Sequence, residues 1–250
     1  MRVAGHTYAY RDRTLADALD ELASLGFTAV EVWLGHVAED LDGAASAVGE
    51  GGLEAAAVSA GGFYAAHTDV ISRAVDLAQA LESPVIVACV APDVLDFVVA
   101  RVPAGITLCV ENHWDQPLAT PRDVRTALAG RPGVAACVDT GHAILVGKEP
   151  ESFVGELGER VGHVHLKDAA FPSLRERLMG RRLRRRLLPR PEPVAPGTGA
   201  LDAVRVRRAL SGAGYEGTVT VEYEGTEPTL ALRRLLAEWT ASEDMLGSGR

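Results

Sequence analysis

Glu111, Asp139, His165 and Glu222 stand at or near the C-terminal ends of four short apolar segments, CVENHW (109–114), CVDTGH (137–142), VGHVHLKD (161–168) and TVTVEYEG (218–225). Each segment reads as a β-strand. Three carboxylates and an imidazole form an oxygen-rich set suited to a hard or borderline divalent ion such as Mn²⁺, Mg²⁺ or Co²⁺. Carboxylates left unpaired in a core are costly. Four strands that each place one such group at the same depth imply a shared ion.

Strand periodicity supports this. Successive side chains alternate between faces, so Cys109, Glu111 and His113 share one face. His163, His165 and Lys167 share another, as do Thr220, Glu222 and Glu224. The opposite face carries Val110, Val164, Leu166 and Val221, which suit packing against helices. The polar face therefore points inward.

The elements that must position these residues alternate along the chain. Strands are expected at 2–10, 28–34, 53–61, 84–90, 106–114, 134–142, 162–169 and 217–225. Helices are expected at 14–26, near 39–50, and at 68–82, 92–102, 120–130, 151–161, 201–214 and 228–239. Thr14, Thr120 and Asp202 read as N-caps. Repeated βα units imply a parallel sheet, and eight of them in this length predict one (β/α)₈ TIM barrel over 1–240. Residues 171–196 read as an inserted, arginine-rich loop or lid after the seventh strand, and 241–250 as a flexible C-terminal tail. Within that insertion Arg175, Arg177, Arg181, Arg182, Arg184, Arg185 and Arg186 are too crowded to be buried without partners.

Composition narrows the function classes. The net charge is −9, which argues against general affinity for nucleic acid or anionic membranes. No run of about eighteen apolar residues predicts a membrane span. The N-terminus lacks the apolar stretch of a signal peptide, so a cytoplasmic location is expected. Cys89, Cys109 and Cys137 sit apart in predicted strands, with no CxxC pair. They read as buried thiols, neither a zinc knuckle nor a disulfide framework. Lysine occurs only at Lys148 and Lys167, which makes Lys167, inside a motif, conspicuous.

The motifs VENHW, CVDTGH, GHVHLKD, PGTGALD (196–202) and YEGTVTVEYEG (215–225) resemble those of the xylose-isomerase-like superfamily of sugar isomerases and epimerases. That group includes tagatose and psicose 3-epimerases, hydroxypyruvate isomerases, inosose dehydratases and, more distantly, endonuclease IV. The resemblance implies one divalent ion held by Glu111, Asp139, His165 and Glu222, with Mn²⁺ first and Mg²⁺, Co²⁺ or Zn²⁺ as alternatives. His165 matches the second histidine of the family's HxH pair, whereas His163 reads as a hydrogen-bonded core residue. The resemblance also suggests that His142 binds a substrate oxygen, against the alternative of a partner fixing Asp139.

Other candidates surround this set. Lys167 could stabilise an enediolate oxygen, or act as an acid/base if its pKa is lowered, or form a salt bridge with Asp168 or a neighbouring strand. Glu31 faces inward at the end of the second strand and is expected to bind substrate or to order the rim. His6, His67, His113 and Trp114 are candidate pocket walls, and Trp33 and Trp114 could offer sugar-stacking faces. PGTGALD reads as a tight loop.

The expected chemistry is proton abstraction next to a carbonyl, with Glu111 and Glu222 moving protons on and off carbon. Reprotonation at the neighbouring carbon gives isomerisation, and at the other face epimerisation. Loss of a β-substituent gives dehydratase or lyase chemistry. The partner is then a small polyol or keto-sugar, with a homo-oligomer or a hetero-complex both open. A DNA-repair endonuclease is disfavoured by the acidic charge and by the lack of extra histidines. A non-catalytic subunit of a larger complex is a third reading.

Overall fold

The computed structural model describes residues 1–37, 40–66, 68–179, 183, 187 and 191–247. Eight parallel strands close in sequence order: β1 (Arg2–His6), β2 (Ala29–Trp33), β3 (Glu54–Phe63), β4 (Val85–Val90), β5 (Thr107–Glu111), β6 (Val134–Asp139), β7 (Val161–Leu166) and β8 (Thr218–Val221). β8 pairs back onto β1, with Arg2 opposite Thr218. Helices connect them on the outside, as in any (β/α)₈ barrel.

The alternation of side chains builds two separate cores. Outward residues such as Val110, Val164, Leu166 and Val221 join the main apolar layer beneath the helices. Inward residues at the closed end are small: Ala57, Val87, Cys109 and Cys137 form one cluster, and Ala4, Ala29 and Ala56 another. Small side chains fill the narrow interior and leave the mouth to the polar ones. All three thiols are free and buried.

The N-caps behave as expected. Thr14 and Asp202 accept backbone N–H bonds at their helix starts, and Thr120 and Asp123 complete a capping box. Several strands end earlier than expected, and β6 and β1 do so for the same reason. β6 stops at Asp139 because its Oδ1 accepts from the His142 backbone N–H at 2.6 Å and opens helix Thr140–Leu145. β1 stops at His6 because its Nδ1 accepts from the Tyr8 N–H at 3.0 Å and opens the turn Thr7–Tyr10. A polar side chain at a strand end captured the backbone in each case.

The C-terminal expectation needs correction. The last helix runs Pro228–Gly247, so no loose tail begins at 241. Buried Ser242 accepts from Arg207 Nε at 2.7 Å, and Arg207 Nη2 donates to the Trp239 carbonyl at 3.0 Å. Arg207 also lies over the Trp239 ring at 4.2 Å. These contacts anchor the extra turns.

The insertion leaves and returns at one point. Ala200 N donates to the Ala169 carbonyl at 2.8 Å. Asp168 accepts from the backbone N–H groups of Gly197, Gly199 and Leu201 at 2.9, 3.0 and 3.0 Å. A short helix, Leu174–Met179, follows β7. Arg181, Arg182, Arg184, Arg185 and Arg186 lie outside the described residues, as does His67. Among the described residues no helix is long and apolar enough to cross a membrane.

Candidate metal centre

The register brings the predicted ligands to one level. Glu111 lies opposite Cys137, and Asp139 lies opposite His165. Two side chains inside the motifs stitch these strand ends together. Asn112 accepts from Asp139 N at 2.9 Å and donates to the Asp139 carbonyl at 3.0 Å. Thr140 Oγ1 accepts from Lys167 N at 2.8 Å and donates to the Lys167 carbonyl at 2.7 Å. Each tie fixes the backbone beside a candidate ligand.

Glu111, Asp139, His165 and Glu222 each offer one donor atom, and these atoms lie within 4.8 Å of one another. His165 Nδ1 is 3.1 Å from Glu111 Oε1, 3.0 Å from Glu222 Oε2 and 3.9 Å from Asp139 Oδ2. Asp139 Oδ2 is buried, with no hydrogen-bond partner among the described residues. Glu222 Oε2 is buried 3.0 Å from His165 Nδ1, in a geometry that makes no hydrogen bond, and has no hydrogen-bond partner among the described residues. Buried carboxylate oxygens are rarely left so, because each forfeits its hydration. Burial, reinforced by Glu222 and Glu111, pushes the Asp139 carboxyl well above the usual range. A divalent cation would offset both penalties at once, and the donor set fits one.

Glu31 was expected to bind substrate or order the rim. It does neither. It is fully buried beneath His165, whose Nε2 lies 3.0 Å from Glu31 Oε1. His163 Nε2 lies 2.8 Å from Glu31 Oε2 and 2.9 Å from Thr220 Oγ1, so His163 is the hydrogen-bonded core residue. His6 Nε2 approaches Glu31 at 3.5 Å while its Nδ1 serves the Tyr8 N–H. Burial opposes charge on Glu31, but His165, His163 and His6 outweigh it and hold the carboxyl well below its usual range. A carboxylate on one ring nitrogen fixes the tautomer and presents the other nitrogen to a metal. Glu31→Ala should therefore weaken metal binding about 10- to 100-fold without removing a ligand. Titration of the variant with Mn²⁺ against wild type measures this, and an unchanged affinity would refute it.

Of the two expected salt-bridge partners, Lys167 takes the neighbouring strand, at the end of β8, and not Asp168. Its Nζ is 3.3 Å from Glu222 Oε1, 4.0 Å from Asp139 Oδ2, and ion-paired with Glu224 Oε1. Burial opposes its charge, but Glu222, Asp139 and Glu224 prevail and hold the ammonium well above the usual lysine range. The acid/base role would call for the opposite shift.

The centre opens into a cavity of about 220 Å³ whose walls include His6, Tyr8, Trp33, Tyr64, Cys89 and His142. His142 is held neutral: burial first, then Lys167 and His113, push its imidazole well below the usual value. Its Nδ1 is buried without a hydrogen-bond partner, and its ring packs on His113 at 3.8 Å between centroids. Its backbone N–H binds Asp139, in line with the expected role of a partner fixing that carboxylate. His113 Nδ1 is 2.7 Å from Asp115 Oδ1. Trp114 is buried and borders a smaller cavity of about 90 Å³ next to Lys167 and Glu224. Trp33 stands edge-on to Tyr8, with centroids 5.0 Å apart, and forms an aromatic wall.

Sequence reasoning missed Asn112, Thr140, Tyr64, Cys89, Glu224 and the anchoring role of Asp168. Asn112 and Thr140 carried a signal, since each follows a candidate ligand directly in the chain. Tyr64 carried none, because the third strand was expected to stop at 61.

A closed (β/α)₈ barrel with a carboxylate-rich, metal-type centre at the C-terminal ends of its strands defines the class. Residues 19–242 match the family described as xylose isomerase-like TIM barrel, and the chain belongs to it. It is similar to an inosose dehydratase from Bacillus velezensis, 30% identical over 130 residues, or 51% of this chain and 43% of that protein. The matched stretch thus spans less than half the length of that relative. Its fold is similar to D-allulose 3-epimerase from Methylomonas sp., with a TM-score of 0.73 at 17% identity over 97% of this chain and 98% of that one. It is likewise similar to a xylose isomerase-like TIM barrel protein from Mycobacterium smegmatis in complex with magnesium, with a TM-score of 0.71 at 14% identity, covering 99% of this chain and 97% of that one. These relatives include epimerase and dehydratase enzymes.

Proposed function

We propose that the protein is a divalent-metal-dependent isomerase or epimerase acting on a small, uncharged polyol ketone such as a keto-sugar or cyclitol. The observation that carries this reading is the placement of Glu111 and Glu222. Both reach the same imidazole nitrogen, at 3.1 and 3.0 Å, from different strands at the floor of one cavity. Two carboxylates flanking one point suit removal and return of a proton at carbon. Glu111, Asp139, His165 and Glu222 would hold the ion, Mn²⁺ by preference with Mg²⁺, Co²⁺ or Zn²⁺ as alternatives. When bound, the ion supplies polarisation of a carbonyl and an adjacent hydroxyl.

The chain's own residues do the rest. His142 Nδ1, buried and unpartnered, is available to a substrate oxygen. Lys167 places a positive charge beside Glu222, where negative charge develops in an enediolate. Trp33 and Tyr8 offer an apolar flank to a sugar ring. No arginine is among the described walls of the main cavity, and Lys167 is taken by Glu222 and Glu224. An anionic substrate would meet carboxylates, so an uncharged one is favoured.

A second reading is dehydration with the same residues, favoured by the similarity to an inosose dehydratase. One experiment separates the two. Metal-replete protein is incubated with ketoses and inososes in D₂O and followed by NMR. Isomerisation or epimerisation gives a rearranged product of unchanged composition, with deuterium at the carbon next to the carbonyl. Dehydration gives a product lacking one hydroxyl. No conversion of any such ketone by metal-loaded protein would sink both.

A further inference from the structure

A glutamate carboxylate has two equivalent oxygens, and its terminal torsion is broad and nearly unselective. A site that uses one oxygen for an ion and leaves the other for chemistry must therefore break that equivalence. Glu222 is fixed by Lys167, whose Nζ reaches Oε1 at 3.3 Å and leaves Oε2 beside His165. Glu111 has no such cation. Instead the Cys89 thiol donates to its Oε2 at 3.0 Å, while Oε1 faces His165. The Tyr64 phenol stands on the same cavity wall as Cys89 and Glu111.

Three features of the chain bring that phenol in. β3 shifts register against β4 between Ser59 and Gly62. Gly61 within the bulge has a φ of +71°, a conformation that favours glycine. A Cβ at Gly62 would overlap the Tyr64 ring and hydroxyl, so only glycine lets the ring fold back over the mouth. The ring is 53% exposed, yet it lines the same cavity as Cys89 and Glu111. A half-exposed aromatic folded inward over a glycine is a specific arrangement.

We propose that Tyr64 and Cys89 are positioning residues for Glu111: a donor relay from phenol to thiol to carboxylate that reserves Oε1 for the ion and aims Oε2 at the cavity. The inference rests on Glu111 being a ligand, as read above. The thiol suits this place because it is a weak donor. It orients the oxygen without the full charge that Lys167 brings to Glu222.

Mn²⁺ affinity of the full chain, read from the free-ion EPR signal, tests the relay without needing a substrate. Cys89→Ala should weaken binding about 10-fold, the scale expected for an outer-sphere partner. Cys89→Ser, which restores a donor, should recover most of it. Tyr64→Phe should weaken binding less. Gly62→Ala should reproduce Tyr64→Phe, because its methyl group displaces the ring. The Tyr64→Phe/Cys89→Ala double variant should be no worse than Cys89→Ala alone, since the phenol acts through the thiol. Thermal melting of each variant checks the fold, and Gly62→Ala keeps the test alive if a Cys89 variant does not fold. Wild-type affinity in both Tyr64→Phe and Cys89→Ala, alongside loss in Glu111→Gln, would overturn the relay and leave the metal reading standing. A wild-type chain that binds no Mn²⁺ would overturn both.

Discussion

Asp139→Ala should abolish stoichiometric metal binding. Asp139 is fully buried, its Oδ1 is taken by the His142 N–H, and its Oδ2 has no partner but the centre it faces. The Asn112 side chain grips its backbone on both sides of the peptide, so no neighbour can swing in to replace it. Metal analysis of protein purified without chelator reads the result. One ion per chain surviving in the variant would sink the assignment. The same residue sets a pH dependence. Its carboxyl is raised well above the ordinary value by burial, so without an ion it stabilises the fold below about pH 4 and loses that contribution as pH rises toward its raised value. An ion reverses the sign, because it binds the carboxylate and competes with the proton. Metal affinity should therefore fall as pH is lowered, and added metal should raise the melting temperature more at neutral than at acidic pH. Asp139→Asn should lose both effects.

Glu111→Gln and Glu222→Gln should each lower turnover by about 10²–10⁴-fold, the usual worth of a positioned acid/base. Glutamine keeps the volume and one carbonyl oxygen, so the fold and part of the metal affinity should survive. Deuterium incorporation next to the carbonyl should vanish with turnover in both variants. The losses have different surroundings. Glu222 carries the Lys167 ammonium on its outer oxygen, and its replacement leaves that buried charge with Glu224 and Asp139 only. Glu111→Gln strands no charge. Melting temperature should therefore drop more for Glu222→Gln than for Glu111→Gln. Turnover near wild type in either variant would remove that carboxylate from the proton path.

The barrel was legible because its signal is periodic. Alternating strands and helices, caps at Thr14, Thr120 and Asp202, and outward Val110, Val164, Leu166 and Val221 all point one way, and the structure follows them. The four carboxylate and imidazole positions converge because they occupy equivalent places in four consecutive units. What failed was depth and local capture. Glu31 has the inward face its strand predicts, but it lies beneath His165 instead of at the rim, and stagger between strands is not written in one strand's alternation. The ends of β1 and β6 were misplaced because His6 and Asp139 bind the next turn, a choice between two local hydrogen-bond schemes. Tyr64 was invisible because a bulge shifts the register on which alternation depends.

The barrel divides its labour by halves. Every group expected to touch the ion comes from β5–β8 or their ends, whereas Glu31, His6, Tyr64 and Cys89, which steer those groups, come from β1–β4 or their ends. One half supplies the expected ligands, held locally by Lys167, Asn112 and Thr140, and the other adds partners that reach them from across the barrel. Substitutions in the first half can thus retune affinity and geometry while the ligand set stays whole, whereas a single change in the second half deletes a ligand outright. A chain built this way can diverge gradually along one stretch of its length and is brittle along the other.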